Sequence, residues 1–313
     1  MRNAFAETLT QLAQEDSRIV LLSGDIGNKL FDHFKKVDAS RFYNCGVAEA
    51  NMMSVAAGMA LNGLRPVIYT ITPFTTTRCF EQIRVDVCYH QAPVIIVGTG
   101  SGLSYAELGP THHSLEDMAI LRTLPGMCVL APCDATELDL MLRAALQQDQ
   151  PVYIRIGKKG EPRIYKERPL LRIGKAIVVR EGNDLTLLNA GILMPEVLKA
   201  AEILKDQGIS AEVVSFHSIK PLDTAYLQQA NARFRLLVSI EEHGCIGGLG
   251  GAVAEWRSQS EALVPHLSLG TPDQFMHEIG SQKYAQVKYG LEAEQIAARV
   301  LERLPELRAR IVA

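Results

Sequence analysis

The sequence predicts an α/β protein of two consecutive open, mostly parallel sheet domains. Its 313 residues exceed one typical domain and suit two. Short apolar runs of strand length alternate with stretches at helical spacing, the pattern of a parallel sheet covered on both faces. From 157 to 171 charge, proline and glycine gather without periodicity, which marks a linker. One domain is therefore expected over 1–165 and a second over 166–313.

Taken in order, Phe5, Leu9 and Leu12 stand at helical spacing and predict a helix over 2–15. A buried strand over 18–22 runs into Ser23-Gly24-Asp25-Ile26-Gly27, a loop at a strand's carboxyl end, where open α/β sheets place their ligands. Further strands are expected at 66–70, 93–98, 127–132 and 152–156, with helices near 76–89, 115–123 and 135–147 between them. Beyond the linker come strands at 176–179, 185–189, 211–215 and 236–240 and helices at 195–207 and 251–258. Pro195 suits a helix start, where its missing amide is not needed. An amphipathic helix over 292–304 closes the series.

Composition narrows the function classes. Hydrophobic residues make up 47% and charged ones 21%, enough for sizeable cores. A formal net charge of −3 predicts neither a nucleic-acid footprint nor a polybasic membrane contact. No apolar run approaches the roughly 20 residues a bilayer span needs, and the N-terminus has no basic-then-apolar signal pattern. The six cysteines (45, 79, 88, 128, 133, 245) form no Cys-x-x-Cys pair and no zinc-like spacing. A reduced cytoplasmic protein is expected.

Four stretches carry chemistry. The helix opened by Gly46-Val47-Ala48-Glu49-Ala50-Asn51-Met52 is apolar nearly all round and should be buried. A carboxylate at its mouth is costly unless something pairs with it or it takes up a proton. Glu49 could equally cap backbone amides and do nothing more. The second stretch, Phe74 to Gln82, places Phe74, Arg78 and Phe80 together, although aromatics here could be simple core. The third is Gly109-Pro110-Thr111-His112-His113-Ser114. Its histidines with Glu116 and Asp117 do not reach metal-ligand spacing on one helix face, and His113 reads as structural. The fourth is Arg155 with Lys158 and Lys159, the two lysines reading as a solvated basic loop. Other motifs fail: Gly247–Gly251 misses the dinucleotide spacing at Val253, and Ser101 and Ser104 lack a nucleophile elbow. Glu241-Glu242-His243 reads as a polar strand end.

On the first three of these stretches the chain resembles the transketolase family, and the resemblance spans nearly all of it. It implies a thiamine-diphosphate-binding, pyrimidine-type domain over 1–165 and a transketolase C-terminal-type domain over 166–313. By the same resemblance Glu49 is the catalytic glutamate that hydrogen-bonds the cofactor's aminopyrimidine. Phe74 stacks on that ring, with Arg78 and Phe80 lining its pocket. His112 faces the substrate, and Arg155 and Arg2 reach an acceptor's phosphate. No domain carries the family's diphosphate motif; Gly24-Asp25 lacks the third glycine. The chain thus looks like the C-terminal subunit of a split, two-component enzyme. An α2β2 heterotetramer with an N-terminal subunit is implied, Mg2+ being held mainly by that partner.

Two positions depart from single-chain relatives. Leu108 stands where they carry an aspartate, and Gly100 near where they carry a phosphate-contacting histidine. The usual sugar phosphates are therefore open to question. The implied reaction moves a two-carbon ketol unit from a ketose to an aldehyde. The β-subunit of a 2-oxo acid dehydrogenase, a pyruvate-condensing synthase and a non-catalytic regulatory or scaffold subunit stand as alternatives.

Overall fold

The computed structural model describes residues 1–158, 160–260 and 264–312; Lys159 of the basic loop lies outside them. The first half of the chain forms β1 (Ile19–Ser23), β2 (Phe42–Asn44), β3 (Arg65–Ile71), β4 (Ile95–Thr99), β5 (Cys128–Leu130) and β6 (Val152–Ile156). The second half forms β7 (Ile177–Arg180), β8 (Leu185–Ala190), β9 (Ala211–Ser215), β10 (Ser218–Lys220), β11 (Leu237–Gly244) and β12 (His266–Thr271). Among the described residues they build a seven-stranded sheet, ordered β10-β5-β6-β4-β3-β1-β2, and a five-stranded one, β12-β11-β8-β9-β7. Each sheet is parallel except for one antiparallel edge strand, β10 in the first and β7 in the second.

The edge strand β10 crosses the expected division near residue 165. It comes from the second half of the chain yet completes the first sheet, and Ala131 N–H donates to His217 O beside it at 2.7 Å. Lys220 then reaches the carbonyls of Arg122 and Leu124 at 3.0 and 2.6 Å, satisfying the end of helix Asp117–Arg122 with a cation. One apolar cluster likewise runs through both halves. It joins Met52, Ile83 and Leu121 to Val214, Phe216 and Val253.

Two other expectations change. The helix near 76–89 starts earlier and is broken into Thr72–Thr75, Thr77–Cys79, Phe80–Gln82 and a widened turn, Ile83–Tyr89. Thr75 and Thr76 hydroxyls bond Thr72 O at 3.0 and 2.7 Å, and Thr77 bonds Pro73 O at 2.9 Å. Consecutive threonines that bond back to the preceding turn favour such irregularity. The strand expected to end at 240 continues to Gly244, so Glu241, Glu242 and His243 are fully buried rather than a polar end. Glu241 is satisfied by the N–H groups of Leu249 and Gly250, at 2.7 and 2.8 Å. Among the described residues no helix is long and apolar enough to cross a membrane.

Candidate active site

In the first sheet the chain steps outward from β1 to β2 and then crosses back to β3. Loops leaving β1 and β3 therefore diverge at their carboxyl ends and open a crevice there. The turn before Glu49 is tied to this edge. Cys45 N–H donates to Ser23 O and Asp25 N–H to Gly46 O, both at 2.8 Å. Gly46 has φ +64°, a conformation suited to glycine, and its N–H bonds Asn44 Oδ1 at 2.9 Å.

Glu49 opens helix Glu49–Leu61 and is only 4% exposed. Its carboxylate does not cap the helix. Arg78 Nη1 donates to Oε2 at 3.0 Å, so the buried charge is paired. The same guanidinium lies 3.9 Å from the centre of the Phe74 ring, in cation–π contact. His112 meets Phe74 edge to face, with centroids 5.3 Å apart, and Tyr105 likewise at 5.9 Å. Four residues singled out from sequence thus form one group: Glu49, Arg78, Phe74 and His112.

His112 is half-buried, and Thr111 Oγ1 lies 2.9 Å from its Nδ1. Burial, and secondly the charge of Arg78, push its pKa below the usual histidine value. Tyr105, not anticipated from sequence, has the Lys158 ammonium 4.4 Å from its ring centre, and Lys158 also pairs with Glu107. Tyr105 also accounts for Gly100: a Cβ there would fall 1.9 Å from the tyrosine ring. Leu108 is half-exposed on the same loop.

The remaining candidates lie elsewhere. Phe80 packs against the apolar cluster around Met52 and Ile83. Arg2 lines an open cleft of about 840 Å³ with Glu7, Gly27, Lys29 and His33, a lining that includes none of the four grouped residues. Arg155 is 2% exposed, and its Nε donates to Asp117 Oδ2 at 2.8 Å. Tyr153 Oη donates to the same oxygen at 2.6 Å. Burial raises the Asp117 carboxyl most, but Arg155, His243 and Tyr153 together outweigh it and the net direction is down. So enclosed, Arg155 spends its Nε and one terminal nitrogen on Asp117, Ser114 and Glu242, groups of the protein itself. Tyr105 escaped the sequence reading, its one local signal being a lone aromatic in a glycine-rich loop, while Asp117 and Glu242 were weighed only as a failed metal site and a polar strand end.

A paired carboxylate beside an aromatic face at a sheet's switch point defines an α/β protein able to hold a flat, nitrogen-bearing ring. The Arg78 guanidinium already lies over the Phe74 ring beside Glu49, and an aromatic face of this kind is what planar heteroaromatic groups stack on.

Comparison with known proteins agrees. Residues 1–161 match the transketolase pyrimidine-binding domain and residues 174–296 the transketolase C-terminal domain. The chain belongs to the transketolase family, whose members depend on thiamine diphosphate. It is 35% identical over 304 residues to one subunit of the apulose-4-phosphate transketolase of Phocaeicola vulgatus, covering 96% of each chain. With the 6-deoxy-6-sulfo-D-fructose transketolase subunit of Clostridium sp. it shares 38% identity over 297 residues, 95% of this chain and 92% of that one. A solved structure described as a split gene transketolase, inactive beta4 tetramer, superposes with a TM-score of 0.88. Identity to it is 36%, with 97% of each chain covered.

Proposed function

We propose that the chain is the C-terminal subunit of a split transketolase, moving a two-carbon ketol unit from a ketose to an aldehyde. It works only when joined to an N-terminal subunit that carries the diphosphate-binding domain and most of the Mg2+ coordination. The observation that supports this best is the Glu49–Arg78–Phe74–His112 group at the sheet's switch point. Bound thiamine diphosphate supplies the electron sink for breaking the carbon–carbon bond beside the ketose carbonyl.

The chain's own residues do the rest. Glu49 hydrogen-bonds a ring nitrogen of the aminopyrimidine, its charge steadied by Arg78. Phe74 offers the stacking face and Phe80 backs the pocket wall. His112 has its Nδ1 next to Thr111, leaving Nε2 for a substrate oxygen. Its lowered pKa keeps it neutral near pH 7, able to pass a proton either way. Arg2, in its cleft with Lys29, is kept for an anionic end of the acceptor.

Val47, 82% exposed two residues before Glu49, and Tyr43, 41% exposed, supply apolar surface for a partner beside the site. An α2β2 assembly puts Glu49 near that interface. The two named relatives act on apulose-4-phosphate and a sulfonated fructose. With Leu108 and Gly100 in place of the usual polar residues, an unconventional ketose is the substrate class to screen first. We place the division between domains near residue 165 and the enzyme in the cytoplasm.

The test is to capture a tagged chain from its native cells and examine the eluate for a second polypeptide and for thiamine diphosphate. Both are expected, with ketol transfer once the two chains are combined. A lipoyl-domain partner would point to a 2-oxo acid dehydrogenase instead. Neither partner nor cofactor would leave a subunit without a catalytic role.

A further inference from the structure

The loop that carries Tyr105 and His112 is closed at its ends. Gly102 N–H donates to Ser114 O at 3.1 Å, and Ser114 N–H returns the bond to Gly102 O at 2.9 Å. A strand of the other sheet grips this closure. Glu242, fully buried on β11, accepts Leu103 N–H at Oε1, 2.7 Å away. The main-chain carbonyls of Glu242 and Ser114 both accept from Arg155 Nη2, at 2.8 and 2.9 Å. Gln282 and Gln286, on helix Gln282–Lys288, hold the carboxylate from behind at 2.9 and 2.6 Å. The contact is close enough to demand glycine: Gly102 has φ +62°, and a Cβ there would lie 2.5 Å from Glu242 Oε1.

Burying a carboxylate is expensive, and an apolar side chain would join two packed layers at less cost. An apolar side chain cannot hold the Leu103 N–H, however. Nor would it fix where the loop leaves the closure.

We infer that Glu242 is a positioning residue for His112: by clamping Gly102-Leu103 from the second sheet, it sets the loop that seats His112 against Phe74 and Tyr105. This rests on the reading that His112 faces the substrate. Arg155 is the second jaw of the clamp, which gives its burial a purpose.

Glu242→Gln keeps the side chain's shape but leaves a single acceptor oxygen, for which Leu103 N–H, Gln282 and Gln286 then compete, and places an amide donor where the second oxygen accepted. In the enzyme assembled with its partner subunit, kcat is expected to fall about 10-fold with KM within about twofold, as displaced catalytic geometry produces. The control is Glu212→Gln, another buried carboxylate, held by Tyr226 and Arg233 and not by the loop. It should cost comparable stability and leave kcat unchanged.

A second readout is independent of turnover. The His112 ring protons feel the rings of Phe74 and Tyr105, so their NMR shifts should move toward free-imidazole values in Glu242→Gln and stay put in Glu212→Gln. Unmoved His112 shifts in a folded Glu242→Gln protein overturn the inference, whatever happens to kcat. If Glu242→Gln does not fold, Gln286→Leu, which removes one supporting donor, should move the shifts in the same direction by less; no movement overturns the inference equally. Should His112→Ala keep its turnover, the substrate-facing reading fails, while moved shifts in Glu242→Gln still establish the clamp.

Discussion

Arg78 Nη1 stands 3.0 Å from Glu49 Oε2 while the same guanidinium covers the Phe74 ring at 3.9 Å. One cation thus serves the two groups that the cofactor's ring would also use. It keeps a carboxylate that is 4% exposed from being an uncompensated charge. It also covers the Phe74 face with a planar group. Because the Arg78 side chain is 46% exposed, the pair is anchored at one end and open to solvent at the other.

Substitution separates the two partners. Glu49→Gln preserves size and the apolar helix behind it, so the chain should fold with nearly unchanged stability. Turnover of the assembled enzyme should drop by about 100-fold or more, the scale on which loss of general acid–base help is felt. Arg78→Ala leaves the buried Glu49 carboxylate without its partner and should cost about 1–3 kcal/mol in urea unfolding, less than a fully buried pair because the Arg78 end is open to solvent. Its larger effect should be weaker binding of thiamine diphosphate, read by titration calorimetry. Near wild-type turnover in Glu49→Gln would remove the carboxylate from the chemistry.

Arg155 invites the opposite experiment. Its partner Asp117 is fully buried, so Arg155→Met strands a carboxylate and should destabilise the fold by about 3–5 kcal/mol. Replacing both, with Asp117→Leu added, should recover much of that loss. Urea unfolding of the three variants decides it. A stable Arg155→Met protein with a raised KM for phosphorylated acceptors would return the residue to the substrate.

These contrasts show which features the sequence discloses. Local periodicity revealed the buried strands, and the apolar run after Glu49 marked a helix, but the structure buries only its Met52, Met53, Ala56, Ala57 and Ala60 face and leaves Val55 and Leu61 exposed. Phe74, Arg78 and His112 were legible because short motifs hold them. The three-residue strand β10 has no room for an alternating pattern, and it pairs with a sheet built from the other half of the chain. The polar helix Thr224–Arg233 was missed for want of apolar stripes, although Asp223 caps it through Tyr226 N–H at 3.1 Å. Arg155 with Asp117, and Glu242 with Leu103, are contacts between residues far apart in the chain. Nothing in their immediate neighbours announces them.

Stability against pH offers the last test, through His266. This side chain lies on β12, its Nε2 2.9 Å from Ser239 Oγ on β11. Burial, and secondly the charge of Arg257, push it down from 6.5 to about 4. The unfolded chain takes up this proton below pH ~6.5, whereas the folded chain resists it until near pH 4. Between those values the unfolded state binds more protons, so stability is full above pH ~6.5 and falls as the pH drops. His112, His113 and His217 are depressed mainly by burial and act in the same direction. For His266 alone the loss by pH 4 should be about 3 kcal/mol. Unfolding free energies of the wild-type chain should therefore decline from pH 7 to 4.5, and His266→Gln should make the decline visibly shallower. An identical slope in the variant would mean that His266 keeps an ordinary affinity for its proton and that the burial of β12 against β11 is looser than the structure has it.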